Sequence, residues 1–416
     1  MTYSKTVSEV ATREASSRLS ESILASRTKG MSASAIREIL KVASQPGVIS
    51  LAGGLPAPES FPVDYMPELV AGALRKYGPS IFQYGPTEGF PPLRKILSNY
   101  LAHSGVEATP DEVIVTTGSQ QTLDAFGKVL ISPGDKIVVE SPTYLGAISA
   151  FNPYEPHYIG LESDDDGVVP EALDDVLTEN DVKFVYLIPN FQNPSGRTIP
   201  LGRRREIAGI IKKHNVLLFE DDPYRALRYE GEHLPTIWSM APDNVVYAAT
   251  LSKVLSPGMR LGYFVAPPLI RKWIVLAKQG IDLHTSSLDQ AIAAEYIGEG
   301  YLKRHLPHIV DVYRPRVRAM LSALKENFGN DFSWSQPEGG MFVWLTGPDS
   351  LDTSEFYEDA VKHKVAYVPG KYFFTRKGQG LNTARLNFFS SLDMPIKANS
   401  LWSTNLRIDS SAFFAM

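Results

Sequence analysis

The chain has 416 residues, a net charge of −5, 44% apolar and 21% charged residues, and no cysteine. These proportions exclude a disordered or collagen-like chain, and the length exceeds what one hydrophobic core usually supports, so a large and a smaller domain with a cleft between them are expected. Disulfides, thiolate metal sites and cysteine nucleophiles are excluded, and with no long basic run and no apolar stretch of ~20 residues neither nucleic acid nor a membrane is an expected partner.

Residues 1–30 mix basic and acidic side chains without the apolar run of a signal peptide, which predicts a cytoplasmic protein. Between about residues 90 and 270, β-branched runs alternate with segments of helical period, the pattern of parallel strands joined by crossover helices. Strands are predicted over 113–116, 136–139, 184–188, 216–219, 245–249 and 263–266. Most are nearly continuous apolar runs, as in strands covered on both faces, and ligands of such sheets bind at the carboxyl ends. A largely helical stretch over 286–327 leads into the smaller domain, with strands over 340–345 and 365–368. The predicted division is an N-terminal arm and helix over 1–50, a large domain over 51–300 and a small domain over 301–416.

Three strand ends carry chemistry. After 113–116 comes Thr117-Gly118-Ser119-Gln120, opening a helix with Leu123, Phe126 and Leu130 on one face. Free N–H groups and hydroxyls at such an end attract a phosphate, although a serine there also serves as an ordinary cap. After 216–219 comes Glu220-Asp221-Asp222-Pro223-Tyr224. Carboxylates at the mouth of a sheet hold a metal or a protonated ring nitrogen, or form a solvated acidic turn. No second acidic or histidine cluster has ligand spacing, and His305 and His308 lack a third ligand, so no metal is expected and an organic cation is the favoured partner of Asp221. After 245–249 comes Thr250-Leu251-Ser252-Lys253, then Pro257-Gly258-Met259-Arg260. A lysine in an apolar site loses basicity and becomes a nucleophile toward an aldehyde. The hydroxyls and Arg260, returned by the Pro-Gly turn, suit a phosphate. Lysine, aldehyde and phosphate together suggest pyridoxal 5′-phosphate (PLP).

The motifs run in order through Ile36-Arg37-Glu38, Leu51-Ala52-Gly53-Gly54-Leu55-Pro56, Gln83-Tyr84-Gly85-Pro86-Thr87-Glu88-Gly89, Thr117-Gly118-Ser119-Gln120-Gln121, Asn190-Phe191-Gln192-Asn193-Pro194-Ser195-Gly196, the acidic and lysine segments, and Pro337-Glu338-Gly339-Gly340-Met341-Phe342. Across about residues 30 to 390 the chain resembles fold-type I PLP aminotransferases of class I/II, nearest to the branch of 2-aminoadipate, kynurenine and aromatic aminotransferases. The resemblance implies an α/β fold with a large, mostly parallel sheet flanked by helices and a smaller α+β domain. It implies that Lys253 bonds the cofactor as a Schiff base, that Asp221 pairs with the pyridinium nitrogen, and that Asn193 and Tyr224 hydrogen-bond its phenolic oxygen. Tyr144 is expected to stack on the ring. Ser119, Gln120, Thr250, Ser252 and Arg260 are expected on the phosphate, with Tyr84 reaching it from the second subunit of a homodimer. For substrate, the resemblance places Arg385 on the α-carboxylate, Gly53 and Gly54 where the chain passes close by, and Arg37 on a helix over the pocket.

The implied reaction moves an amino group from an amino acid (2-aminoadipate, kynurenine, aromatic or branched-chain) to a 2-oxo acid such as 2-oxoglutarate. A PLP-dependent carbon–sulfur β-lyase and a non-catalytic PLP-binding regulatory module are the alternatives. From about residue 396 the family pattern fades: only Lys397, Arg407 and Asp409 are charged, and no clear helical period closes the chain.

Overall fold

The computed structural model describes residues 21–31, 39, 41–43 and 45–388; Arg37 and the atypical tail lie outside them. The larger sheet has seven strands. In chain order these are β1 (Ile114–Thr117), β2 (Lys136–Glu140), β3 (His157–Leu161), β4 (Val182–Leu187), β5 (Leu217–Asp221), β6 (Val245–Thr250) and β7 (Leu261–Val265). They lie side by side as β1-β7-β6-β5-β4-β2-β3. All pairings are parallel except the two made by β7. The short segment 251–260 explains that exception, because a parallel crossover needs a dozen or more residues whereas a turn suffices for an antiparallel return. The edge strand β3 escapes sequence prediction: His157-Tyr158-Ile159-Gly160-Leu161 is only partly buried and lacks a β-branched run.

Helices α1 (Pro91–Ala102), α2 (Ser119–Leu130), α3 (Leu145–Phe151), α4 (Leu201–His214), α5 (Pro268–Asp282), α6 (Ser287–Gly298) and α7 (Tyr301–Asn327) cover the sheet. Alternation along the strands sends Ile137, Val139, Phe184, Tyr186, Phe219, Val246, Ala248 and Phe264 to one face, where Leu123, Phe126, Phe151 and Ile274 of α2, α3 and α5 meet them. Val138, Val185, Leu187, Leu218, Val245 and Ala249 turn the other way, toward Leu97, Ile211, Ala291 and Ile309 of α1, α4, α6 and α7. With both faces covered, the architecture is the expected mostly parallel α/β sheet flanked by helices.

A second, four-stranded sheet contains β8 (Ser333–Trp334), β9 (Phe342–Thr346), β10 (Val368–Pro369) and β11 (Thr383–Asn387) in the order β8-β9-β11-β10. The segment Ile49–Ser50 pairs in parallel with Val365–Ala366. That separate two-stranded pairing leads directly into residues 52–54, whose carbonyls meet Arg385, Asn387 and Lys253. No described helix is long and apolar enough to cross a membrane.

Candidate active site

A cavity of about 150 Å³ opens at the carboxyl ends of the large sheet, lined by Ser119, Gln120, Tyr144, Asn193, Asp221, Tyr224, Thr250, Ser252, Lys253 and Arg260, together with Ile188, Pro223 and Pro257. Residues more than a hundred positions apart thus converge on one space. The cause is strand direction: β5 and β6 pair in parallel, and β1, antiparallel to β7 as β7 is to β6, runs the same way as both, so the last residues of β1, β5 and β6 lie at one edge, where the chain leaves the sheet.

At one end of the cavity, Gly118 precedes α2 with a φ of 75°, a conformation glycine tolerates best. A Cβ there would lie 2.5 Å from Arg260 Nη2. Arg260 is itself left-handed, with a φ of 52°, after a short turn in which Gly258 N–H donates to Ser256 Oγ. The turn therefore swings the guanidinium across the start of α2. The Thr250 hydroxyl lies 2.9 Å from Ser252 Oγ and accepts from Ser252 N–H at 3.2 Å. Helix N–H groups, three hydroxyls and a guanidinium surround this end, a donor set that matches a phosphate. The Gln120 amide donates to Gly146 O at 3.0 Å, so its side chain also ties α2 to α3.

At the opposite end stands Asp221, 2% exposed. Tyr186 donates to its Oδ2 at 2.7 Å, while Oδ1 is buried without a partner among the described residues. Burial pushes the carboxyl up to about 7; the Tyr186 hydrogen bond opposes the rise and the neighbouring Asp222 charge adds to it. An unpaired carboxylate oxygen in a buried cavity calls for a donor, preferably a cationic N–H. A protonated pyridine nitrogen is such a donor, and with the phosphate cradle at the other end the residues present fit PLP.

Lys253 lies between these ends and donates from Nζ to Gly54 O at 3.0 Å. Burial, then the charges of Arg385 and Arg260, bring its pKa down to about 8. Tyr224 is buried beside it; burial is also what drives its phenol well above the usual range. Asn193 Nδ2 donates to the Tyr224 hydroxyl at 3.4 Å and its Oδ1 accepts from Arg385 Nη1 at 3.0 Å, linking the large-sheet site to β11. Arg385 Nη2 donates to Ala52 O at 2.7 Å, and its guanidinium rests against the rings of Phe342 and Phe373, 4.3 and 5.0 Å from their centroids. Burial lowers it to about 10, still charged at neutral pH. Asn387 donates to Gly53 O, so three consecutive carbonyls, of Ala52, Gly53 and Gly54, are gripped by Arg385, Asn387 and Lys253.

Of the described residues expected on the cofactor, Tyr84 alone stands apart from the cavity. It is 79% exposed, its ring edge-on to His284 at 5.8 Å. Sequence reading missed Tyr186 and Asn387. The signal for Tyr186 was present, since a phenol inside an otherwise apolar strand requires an acceptor, but which acceptor depends on strand order. Among the described residues no cluster of His, Asp or Glu could hold a metal ion.

The aminotransferase class I and II family matches residues 60–394. The chain is 43% identical over 375 residues to aromatic-amino-acid aminotransferase 1 of Thermococcus litoralis, covering 88% of this chain and 90% of that one. It is 41% identical over 360 residues to the 2-aminoadipate transaminase of Thermus thermophilus, covering 86% and 89%. The crystal structure of Pyrococcus horikoshii kynurenine aminotransferase superposes with a TM-score of 0.89 at 39% identity, over 94% of this chain and 98% of that one. The α-aminoadipate aminotransferase LysN of Thermus thermophilus, complexed with N-(5′-phosphopyridoxyl)-L-leucine, superposes with a TM-score of 0.84 at 38% identity, over 91% and 96%. The lysine, the orphaned carboxylate oxygen and the phosphate cradle accord with these matches, and the chain belongs to the class I and II aminotransferases as a PLP-dependent enzyme of fold type I, in the branch of the 2-aminoadipate, kynurenine and aromatic enzymes.

Proposed function

We propose that this aminotransferase takes its amino group from 2-aminoadipate, kynurenine, or an aromatic or branched-chain amino acid, passes it to a 2-oxo acid such as 2-oxoglutarate, and works as a cytoplasmic homodimer. The observation that carries the residue assignments is the single cavity onto which Lys253, the free Asp221 Oδ1 and the donors around Gly118 converge. PLP, when bound, supplies an aldehyde that exchanges amino groups and a ring that accepts the electron pair left at Cα on loss of its proton.

The protein's own groups divide the remaining work. Ser119, Thr250, Ser252, Arg260 and the N–H groups opening α2 anchor the phosphate, with Gln120 beside them, and Tyr144 covers the ring. Asp221 Oδ1 would hold a proton on the ring nitrogen, while Asn193 and Tyr224 would bond the phenolic oxygen. Lys253 would bond the aldehyde at rest, and its Nζ, once released, would serve as the base that takes the proton from substrate Cα and as the acid that gives it back. A lysine near pKa 8 suits both roles, because charged and neutral forms are both accessible close to neutral pH. Arg385 holds the α-carboxylate: its plane is fixed by Phe342 and Phe373, and its Nε is buried without a partner among the described residues. Gly53 and Gly54 form the wall nearest the substrate.

The dimer reading is supported by Phe82, Tyr84, Ile281 and Leu283, large apolar side chains left exposed in two segments that the ring contact of Tyr84 with His284 brings together. Tyr84 then completes the phosphate cradle of the other subunit. The sheets of β1–β7 and β8–β11 are read as the cores of a large domain, 51–300, and a small one, 301–416.

The test is a visible spectrum of the PLP-loaded enzyme and of Lys253→Ala, each mixed with a panel of amino acids in the absence of any 2-oxo acid. Conversion of the Lys253-dependent band to that of the aminated cofactor by one donor class identifies the donor. Accumulation of pyruvate and ammonia from a cysteine conjugate replaces this reading with the lyase.

A further inference from the structure

Tyr186 has no role in the assignments above, yet it makes the one contact that gives Asp221 its asymmetry. In the β4–β5 register Tyr186 sits opposite Phe219, which places Asp221, two residues further on, on the same face of the sheet. The Tyr186 ring is fully buried, with Phe219 and Phe151 at centroid distances of 5.7 and 6.0 Å. Held there, its hydroxyl reaches Asp221 Oδ2 at 2.7 Å. A phenol has one proton to donate. It therefore occupies one carboxylate oxygen and leaves Oδ1 unpaired.

We propose that Tyr186 is a positioning residue for the cofactor: it fixes the plane of Asp221 and moderates its basicity, so that Oδ1 alone meets the ring nitrogen of PLP and the shared proton stays on that nitrogen. This deepens the reading of Asp221 as the pyridinium partner and rests on it. A carboxylate in a dry site with no donor on its second oxygen gains proton affinity, and the proton moves from ring to acid. The phenol opposes that shift, as its hydrogen bond already does for the free carboxyl. The other titratable groups facing the pair are Glu140, which accepts from Ile188 N–H at 2.9 Å, Tyr144, Tyr224 and Asp222. Asp222 is itself held by Asn190 Nδ2 at 2.8 Å and the Tyr247 hydroxyl at 3.0 Å, so its charge presses on Asp221 in the sense opposite to Tyr186.

Positive charge on the ring nitrogen repels a proton on the Lys253 nitrogen through the conjugated ring. The pH midpoint of the Lys253-bound cofactor's visible absorption thus reports how firmly the ring nitrogen is protonated, independently of turnover. The experiment compares the PLP-loaded enzyme with Tyr186→Phe, with 3-fluorotyrosine at position 186, a stronger donor of nearly the same shape, and with Asp221→Asn. Tyr186→Phe is expected to raise the midpoint by roughly half a unit to one unit and lower kcat about tenfold with KM changed less than about twofold, the scale of one hydrogen bond to a charged group. Fluorotyrosine is expected to lower the midpoint. If Asp221→Asn shifts the midpoint and both Tyr186 replacements leave it in place, Tyr186 only packs and the inference is overturned while the Asp221 reading stands. If Asp221→Asn also leaves it in place, the Asp221 reading is overturned and the inference with it.

Discussion

Lys253 and Arg385 show how burial lowers two cations in one site with different outcomes. Desolvation takes the lysine down to about 8, assisted by two nearby guanidiniums, so its amine is protonated below that pH and free above it. In the cofactor-stripped protein the rate of PLP attachment should therefore climb about tenfold per unit up to pH ~8 and then level off, whereas an ordinary lysine would still be climbing near 10. Stopped-flow absorbance against pH distinguishes the two profiles. Arg385, lowered only to about 10, keeps its charge throughout that range. Its planar fork is wedged between Phe342 and Phe373, a geometry that an ammonium cannot reproduce. Arg385→Lys is expected to cut kcat/KM for the amino acid about 10- to 100-fold while PLP affinity changes little, a pairing read by steady-state kinetics beside cofactor titration. Loss of PLP in that variant would mean that Arg385 holds the site together instead of holding substrate. At this scale Lys253 and Asp221 could be picked out from the sequence because polar and charged residues cluster where apolar strand runs end, and Arg385, inside its strand, through the resemblance of its motif. Tyr186 could not, since its acceptor lies on a neighbouring strand 35 positions away.

Among the elements, α2 and the return strand β7 jointly build the end of the cavity proposed for the phosphate. Leu261 pairs with Thr117 and Gly262 with Thr116, so the antiparallel strand brings Arg260 to the mouth of α2. Gly118 is where they meet, with a positive φ and no room for a Cβ beside Arg260. Gly118→Ala should destabilise the fold by about 1–3 kcal/mol and weaken PLP binding together, through strain in the backbone and displacement of the guanidinium. Thermal melts with and without cofactor measure both, and a variant with wild-type PLP affinity would remove Arg260 from the cradle. The helix following Thr117 could be foreseen from its apolar face, and the strands from their β-branched runs. The direction of β7 and the existence of β3 could not, because one depends on the length of a connection and the other on being a sheet edge.

On the scale of the whole molecule the large sheet supplies the cofactor cavity and β11 of the small sheet delivers Arg385 to it, joined through Asn193 and the carbonyls of residues 52–54. Tyr84 remains outside that arrangement. If it serves the partner's phosphate, Tyr84→Ala should weaken PLP binding although the residue touches no part of its own cavity. A hybrid dimer of Tyr84→Ala and Lys253→Ala subunits should then recover one intact site, with wild-type PLP affinity and about half the activity per dimer. No recovery in separated hybrids would place Tyr84 in its own subunit's function. The sequence by itself determined the α/β class, the cofactor chemistry and many of the residues that line the cavity, because strand runs, helix starts and a lysine flanked by hydroxyls are local patterns, while family resemblance added Tyr144 and Asn193. Only the tertiary structure decided which groups are paired and which are left free: Oδ1 of Asp221 unpaired beside a bonded Oδ2, Arg385 pressed between two rings, three backbone carbonyls gripped in succession. Those outcomes depend on strand order, register and burial, which bring together groups that no local spacing relates.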